Sequence, residues 1–117
     1  MLFRSLYWNA FTREFFTAVA RYFAEQGIDT SQFGAFDPEK RGTPVSQITT
    51  TMDVNSYLPV KERAWAAHAS QHNPNGLFSR VPRELTLQWQ GTENLELAQT
   101  RLPKLEGIER DLFAGIR

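Results

Sequence analysis

The sequence predicts an α+β unit with about three helices and three short strands. Three observations carry that prediction. Phe15, Phe16, Val19, Tyr22 and Phe23 recur at the spacing of one helical face. Ile48, Thr50, Met52 and Val54 alternate with Gln47, Thr49, Thr51 and Asp53, the pattern of a strand with one buried face. Leu95 and Leu97 alternate with Glu96 and Ala98 in the same way.

Taken in order, residues 3–11 read as a short strand, because Tyr7, Trp8 and Phe11 suit a pleated, half-buried surface. Thr12 is placed to cap a helix running to Gln26, with Gly27 as its stop. Residues 28–45 carry Gly34, Asp37-Pro38, Gly42 and Pro44 and read as a long surface loop, a substrate-side candidate. A strand over 47–54 follows.

The strongest helical signal covers about 56–72. Ser56 is its expected N-cap and Pro59 lies in the first turn, where a missing N–H costs nothing. Ala64, Ala66, Ala67 and Ala69 propagate it, and Asn73-Pro74-Asn75-Gly76 ends it. Pro82 opens a third helix over 83–90, closed by Gly91. After the strand around Leu95 and Leu97, residues 103–110 read as irregular and 111–116 as a short apolar tail. The 117 residues form a single unit with no internal repeat.

Composition narrows the function classes. Nine Phe, three Trp and three Tyr offer large buriable areas and argue against disorder. Thirteen acids balance thirteen bases, so no net field draws nucleic acid or an anionic membrane. The absence of Cys removes disulfides, thiolate metal sites and thiol nucleophiles, and fits a cytoplasmic location. No apolar run is long enough to span a bilayer, and the first eight residues lack the basic region and long apolar core of a signal peptide. A chain that opens directly in a strand is expected to be cut from something longer.

Chemistry-bearing residues concentrate between Lys61 and His72. On a helix, Lys61, Ala64, His68 and Gln71 fall within roughly a quarter-turn of one another. Two readings of this face stand side by side. His68 is a core histidine locking the helix to a strand, or His68, Gln71 and Lys61 stand on the substrate side of an active site or support its contacting groups. His68 and His72 are four apart and could face one ion, but the chain offers no third His, and Ala69 stands where a zincin helix needs Glu. No metal ligand and no catalytic residue is assigned. Ser56, Ser70 and Ser79 sit in no Gly-x-Ser-x-Gly elbow, and Gly34, Gly42 and Gly76 are isolated rather than part of a phosphate loop. Glu62 and Arg63 read as a solvated helix face.

Several stretches are familiar as an ordered set. They are Leu6-Tyr7-Trp8 before the Phe-rich helix, Gln47-Ile48-Thr49-Thr50-Thr51-Met52-Asp53-Val54 with Tyr57-Leu58 and Lys61, Ala67-His68-Ala69-Ser70-Gln71, Phe78-Ser79-Arg80-Val81-Pro82, and Asp111-Leu112-Phe113-Ala114-Gly115-Ile116. Together they resemble the C-terminal part of the LmbE/PIG-L family of zinc-dependent N-deacetylases. The nearest branch is the actinobacterial one that includes mycothiol S-conjugate amidase and the mycothiol-pathway deacetylase. The resemblance implies the C-terminal portion of a Rossmann-like α/β deacetylase fold. It implies hydrolysis of an amide on an amino sugar or a mycothiol-like conjugate, in which a zinc-bound water attacks the carbonyl, an Asp is the base, and a His stabilises the oxyanion or protonates the amine.

The family's early Ala-His-Pro-Asp-Asp and mid-chain His-x-x-His motifs are absent from this sequence, and Asp37-Pro38 does not replace them. His68 and Gln71 match a later family pattern. The expectation is therefore an inactive chain with no cofactor of its own, zinc belonging to the complete family enzyme. Its expected partners are a missing N-terminal catalytic half or a self-association partner, with a small amino-sugar conjugate as ligand and neither nucleic acid nor membrane. The competing class is a non-catalytic binding or self-assembly module derived from that family.

Overall fold

The central element is β3 (Thr92–Thr100), the longest strand, which pairs on both sides. The computed structural model describes residues 4–31, 37–114 and 116. β1 (Ser5–Ala10) and β2 (Thr50–Asp53) each run antiparallel to β3, in the order β1-β3-β2. With α1 (Arg13–Glu25), α2 (Leu58–Ala67) and α3 (Arg83–Gln90), this is the expected α+β arrangement of three helices and three strands.

The first helix is closed at both ends by its own sequence. Thr12 is extended and its hydroxyl accepts the Phe15 N–H at 3.3 Å. At the far end Gly27 adopts φ +66°; its N–H donates to Ala24 O at 3.2 Å and that of Ile28 to Phe23 O at 2.9 Å. These two bonds form a Schellman stop, and Ile28 packs against the cluster containing Phe23, completing the motif's apolar contact.

That cluster is the main core. Val19 and Phe23 are fully enclosed with Leu77, and Phe15, Tyr22 and Val81 press against them. The aromatic stripe read from the sequence is thus packing surface. Phe15 stacks on Phe78 with ring centres 6.4 Å apart and meets Trp89 of α3 edge-on at 5.9 Å. The 28–45 loop returns to the start of α1. The Thr43 N–H donates to Phe11 O at 2.8 Å and the Arg13 N–H to Thr43 O at 3.0 Å. Gly42 makes this approach possible with φ +80°, since a Cβ there would sit 2.8 Å from Arg13 N. Residues 32–36 of that loop lie outside the described set.

Besides β1, which covers Ser5–Ala10 of the 3–11 run read as a strand, three stretches differ from the sequence reading. β2 begins at Thr50 rather than at residue 47, because Val45–Gln47 is a 3₁₀ turn. Before Thr50 the Thr49 N–H still donates to Leu95 O at 3.0 Å, but the Leu97 N–H donates to the Thr49 hydroxyl at 2.6 Å. The predicted alternation holds at Ile48 and Thr50, which are buried, and at Gln47 and Asp53, which face solvent, while Thr51 and Met52 are both half-buried.

The helix expected over 56–72 is shorter, Leu58–Ala67, with Tyr57 rather than Ser56 at its N-cap. Asp53 Oδ1 accepts from the Asn55 backbone at 3.0 Å and side chain at 2.7 Å, which organises the Asn55–Tyr57 turn that leads into α2. None of the residues of α2 is buried. Helices gain most of their stability from a packed face, so this one has little to carry it through Ser70 and Gln71.

Third, the run 103–110 contains an ordered pairing. Glu109 bridges Thr50 in parallel, donating its N–H to Thr49 O at 2.9 Å and accepting that of Thr51 at 2.8 Å. Among the described residues no helix is long and apolar enough to cross a membrane.

The packed interior is small. The chain exposes 8698 Å², against roughly 6,500 Å² expected for a folded monomer of its mass. Its radius of gyration is 16.6 Å, where a compact chain of this length has about 13.4 Å. Trp8, Phe11 and Trp65 are each more than half exposed.

Candidate functional site

α2 and the turn that follows it carry the three residues singled out from the sequence, and the structure separates them into two environments. Lys61 lies in the second turn of α2. Its ammonium donates to Gln90 O at 2.7 Å and pairs with Glu93 Oε1 at 2.7 Å, fastening α2 to the junction of α3 and β3. Arg83 adds a second tether: its guanidinium donates to Glu62 Oε1 from Nε at 3.1 Å and Nη2 at 2.7 Å. Glu62, read as a solvated side chain, therefore joins α2 to α3.

His68 is not on the helix. It is the C-cap of α2, with ψ +49°, and its backbone N–H closes on Trp65 O at 3.0 Å. Ala69–Gln71 then forms a 3₁₀ turn in which the Gln71 N–H donates to His68 O at 2.9 Å. Both side chains are solvent-exposed, so the core-histidine reading is overturned. The shared helical face of Lys61, Ala64, His68 and Gln71 is likewise lost, because the helix stops one residue before His68.

His72 is committed elsewhere. Its ring lies over the Trp65 indole, centres 4.9 Å apart and 30° from parallel. Its Nε2 is 2.7 Å from Trp65 O. A carbonyl can only accept, so Nε2 carries the hydrogen and the imidazole caps the end of α2. Four-residue spacing on a helix was the whole basis for pairing His68 with His72, and it does not survive the end of α2 at Ala67. Among the described residues no three of His, Cys, Asp and Glu are grouped to hold a metal ion. The described residues therefore offer no group that fits the zinc implied by the resemblance.

One polar cluster had no local signal in the sequence. Glu109 Oε2 accepts from Tyr7 Oη at 2.9 Å and from the fully buried Thr50 Oγ1 at 2.9 Å. Burial first, and then the Glu109 hydrogen bond and charge, push the Tyr7 phenol above its ordinary value. The phenol is held as a neutral donor, and the cluster pins the 101–109 run onto β1 and β2. At β2's other end, Asp53 is held below the usual carboxylate range by the two Asn55 hydrogen bonds.

No family model matches the chain, and no solved structure does. Curated proteins do match. A mycothiol S-conjugate amidase of Streptomyces coelicolor is 39% identical over 74 residues, covering 60% of this chain and 24% of the amidase. A 1D-myo-inositol 2-acetamido-2-deoxy-alpha-D-glucopyranoside deacetylase of Nocardioides sp. is 30% identical over 118 residues, covering 95% of this chain and 38% of the deacetylase. The deacetylase of the same name from Kribbella flavida is 30% identical over 116 residues with the same coverage, 95% and 38%. The chain thus spans well under half the length of these relatives.

Proposed function

We propose that this chain is the C-terminal portion of an N-deacetylase or amidase of the LmbE/PIG-L type, acting in the cytoplasm on an amino-sugar or mycothiol-like conjugate. It forms one wall of the substrate site and is inactive alone. The observation that carries this reading is the match to two deacetylases across 95% of the chain. The thin core and large exposed surface support it, since a unit built to be covered by a larger domain leaves such a surface when alone.

In this reading His68 and Gln71 meet the substrate side. An imidazole and a carboxamide donate and accept, as a hydroxyl-rich or amide ligand requires. Lys61 is a positioning residue: through Glu93 and the Gln90 carbonyl it fixes the helix from whose end they project. Zinc and its ligands belong to the remainder of the enzyme.

The test is to co-express the chain with the unmatched portion of the Nocardioides deacetylase, supply zinc, and measure amine released from N-acetylglucosaminyl-inositol. Turnover is expected from the pair and from neither alone, and His68→Ala in the pair lowers it. An assembled pair without turnover, or turnover by the isolated chain with zinc, sinks the proposal. The exposed rings of Trp8, Phe11 and Trp65 favour a second reading, a non-catalytic self-assembly module. A stable homodimer that does not exchange with the deacetylase portion is its signature.

A further inference from the structure

The two outer edges of the sheet are covered unequally. β2 is flanked by Glu109, whose N–H donates to Thr49 O at 2.9 Å and whose carbonyl accepts the Thr51 N–H at 2.8 Å. β1 is flanked just past its end, where Thr43 pairs beside Thr12.

The alternation of an antiparallel ladder identifies the β1 groups left over. Arg4 O accepts the Arg101 N–H at 2.8 Å, so Arg4 faces β3. Phe11 O accepts the Thr43 N–H at 2.8 Å, so Phe11 faces away from it. Between these ends the backbone groups of Leu6, Trp8 and Ala10 point to β3, and those of Ser5, Tyr7 and Asn9 point outward. Among the described residues no backbone group pairs with the outward three.

Native sheets blunt a free edge with Lys, Pro, a bulge or a covering loop. Residues 5–10 hold no charge and no Pro. The bulge between Leu6 and Tyr7 puts its extra residue, Ala98, on β3, because Leu6 pairs with Gln99 and Tyr7 with Leu97. β1 keeps its own period and remains open to another strand.

The side chains select which strand. Leu6 is 42% and Trp8 60% exposed, one on each side of Tyr7. Against a second β1 running antiparallel about a two-fold axis at Tyr7, Tyr7 meets its own copy and Ser5 meets Asn9, each pair exchanging both N–H···O bonds. Leu6 then falls opposite Trp8, and Trp8 opposite Leu6, at the positions where cross-strand side chains come closest. Arg4 falls opposite Ala10, so the paired strands bring no like charges face to face. The ladder stops before Phe11, whose carbonyl Thr43 already occupies.

We propose that two copies of this chain associate through the free edge of β1, antiparallel about Tyr7, with Leu6 of each copy covered by Trp8 of the other. The inference rests on the edge geometry and is independent of the catalytic reading. One strand pair is small beside the roughly 800 Å² per partner of a standard interface, so the dimer is reversible and concentration-dependent.

Sedimentation equilibrium of the full chain over a concentration series tests this, with a passage from monomer to dimer expected. Trp8→Lys sets an ammonium on the edge and opposite Glu96 in the β1–β3 ladder, which suits the folded monomer. Asn9→Pro removes an outward N–H and no bond to β3. Each change acts twice across the axis, so each is expected to raise the dissociation constant at least about tenfold. Trp65→Ala removes an exposed ring of α2 and leaves association unchanged. Melting temperatures establish that the variants fold. The chain has no Cys, so a single cysteine reports the register: under mild oxidation Tyr7→Cys, on the axis, forms a covalent dimer faster than Asn9→Cys.

A chain monomeric throughout overturns the inference, as does a dimer indifferent to Trp8→Lys and Asn9→Pro, or one lost in Trp65→Ala. Equal cross-linking at the two positions overturns the register. With the deacetylase portion added, a dimer that persists in the complex upholds the inference. A dimer that dissociates, with Trp8→Lys also weakening that complex, assigns the edge to the deacetylase portion and overturns the proposed occupant. Amine release is scored separately, so the catalytic reading stands or falls on its own.

Discussion

Glu109 accepts the phenolic hydrogen of Tyr7 at 2.9 Å across 102 positions of sequence. The same carboxylate oxygen takes the hydroxyl of the buried Thr50. One acid thereby joins the first strand, the second strand and the run that follows the third.

That cluster sets an alkaline limit on stability. The Tyr7 phenol is raised in the folded chain above its value of 10.0, so the unfolded chain loses this proton first as pH rises. Folding then binds more protons than unfolding, and stability falls with pH. Urea titrations should show this contribution absent below about pH 9 and growing as a loss above about 10. Tyr7→Phe should cost about 1 kcal/mol at neutral pH and flatten the alkaline fall. An unchanged alkaline slope in that variant would assign the loss to another group.

Lys61→Met keeps the aliphatic stem and removes both Lys61 contacts, leaving the Arg83–Glu62 tether of α2 in place. The pair with Glu93 is partly exposed and contributes modestly; the bond to Gln90 O adds to it. The expected loss is about 1–2 kcal/mol. Glu93→Gln, which retains an acceptor, should cost less, and a double-mutant cycle between the two sites should give a favourable coupling. Additive losses would mean that the pair contributes nothing.

Gly27 and Gly42 both have positive φ but different neighbours. Nothing lies within 4 Å of a Cβ at Gly27, so Gly27→Ala meets only backbone strain, about 1–2 kcal/mol. At Gly42 the added carbon also strikes Arg13 N and Phe16 Cδ2, each at 2.8 Å. Thermal melts should show Gly42→Ala losing more by about 1–3 kcal/mol. Equal losses would mean that the 42–43 turn yields freely.

His72→Ala removes the cap on Trp65 O and the ring stacked on its indole. A loss of about 0.5–1.5 kcal/mol is expected, confined to the last turn of α2. Hydrogen exchange should accelerate at the His68 amide, which shares the Trp65 carbonyl, and hardly change in α1. Uniform acceleration would contradict a local cap.

Part of this structure is written in short stretches of sequence. Thr12, Gly27 and the Phe15–Phe23 spacing fix α1 and both its ends, because each signal acts within a few residues. The alternation over 47–54 correctly assigns Thr50 to the interior, since side-chain direction in a strand follows from the pleat alone, and Ile48 is buried just ahead of that strand. α3 keeps its predicted bounds of Arg83–Gln90 for a similar reason: Pro82 starts it and Gly91 follows it.

The candidate site was legible only as a set of residue types. Placing His68 and Gln71 on one face with Lys61 assumed that helical propensity would carry α2 to residue 72. Propensity without a buried face does not, so the imidazole and the carboxamide project from a 3₁₀ turn instead. The order β1-β3-β2, the Tyr7–Thr50–Glu109 cluster and the Lys61 anchor belong to tertiary structure alone. Sequence determines where the chain turns, caps and alternates, because those preferences are local. Which distant donor finds which acceptor, and which donor is left without one, depends on how the elements pack, and pairwise sequence spacing carries no record of that.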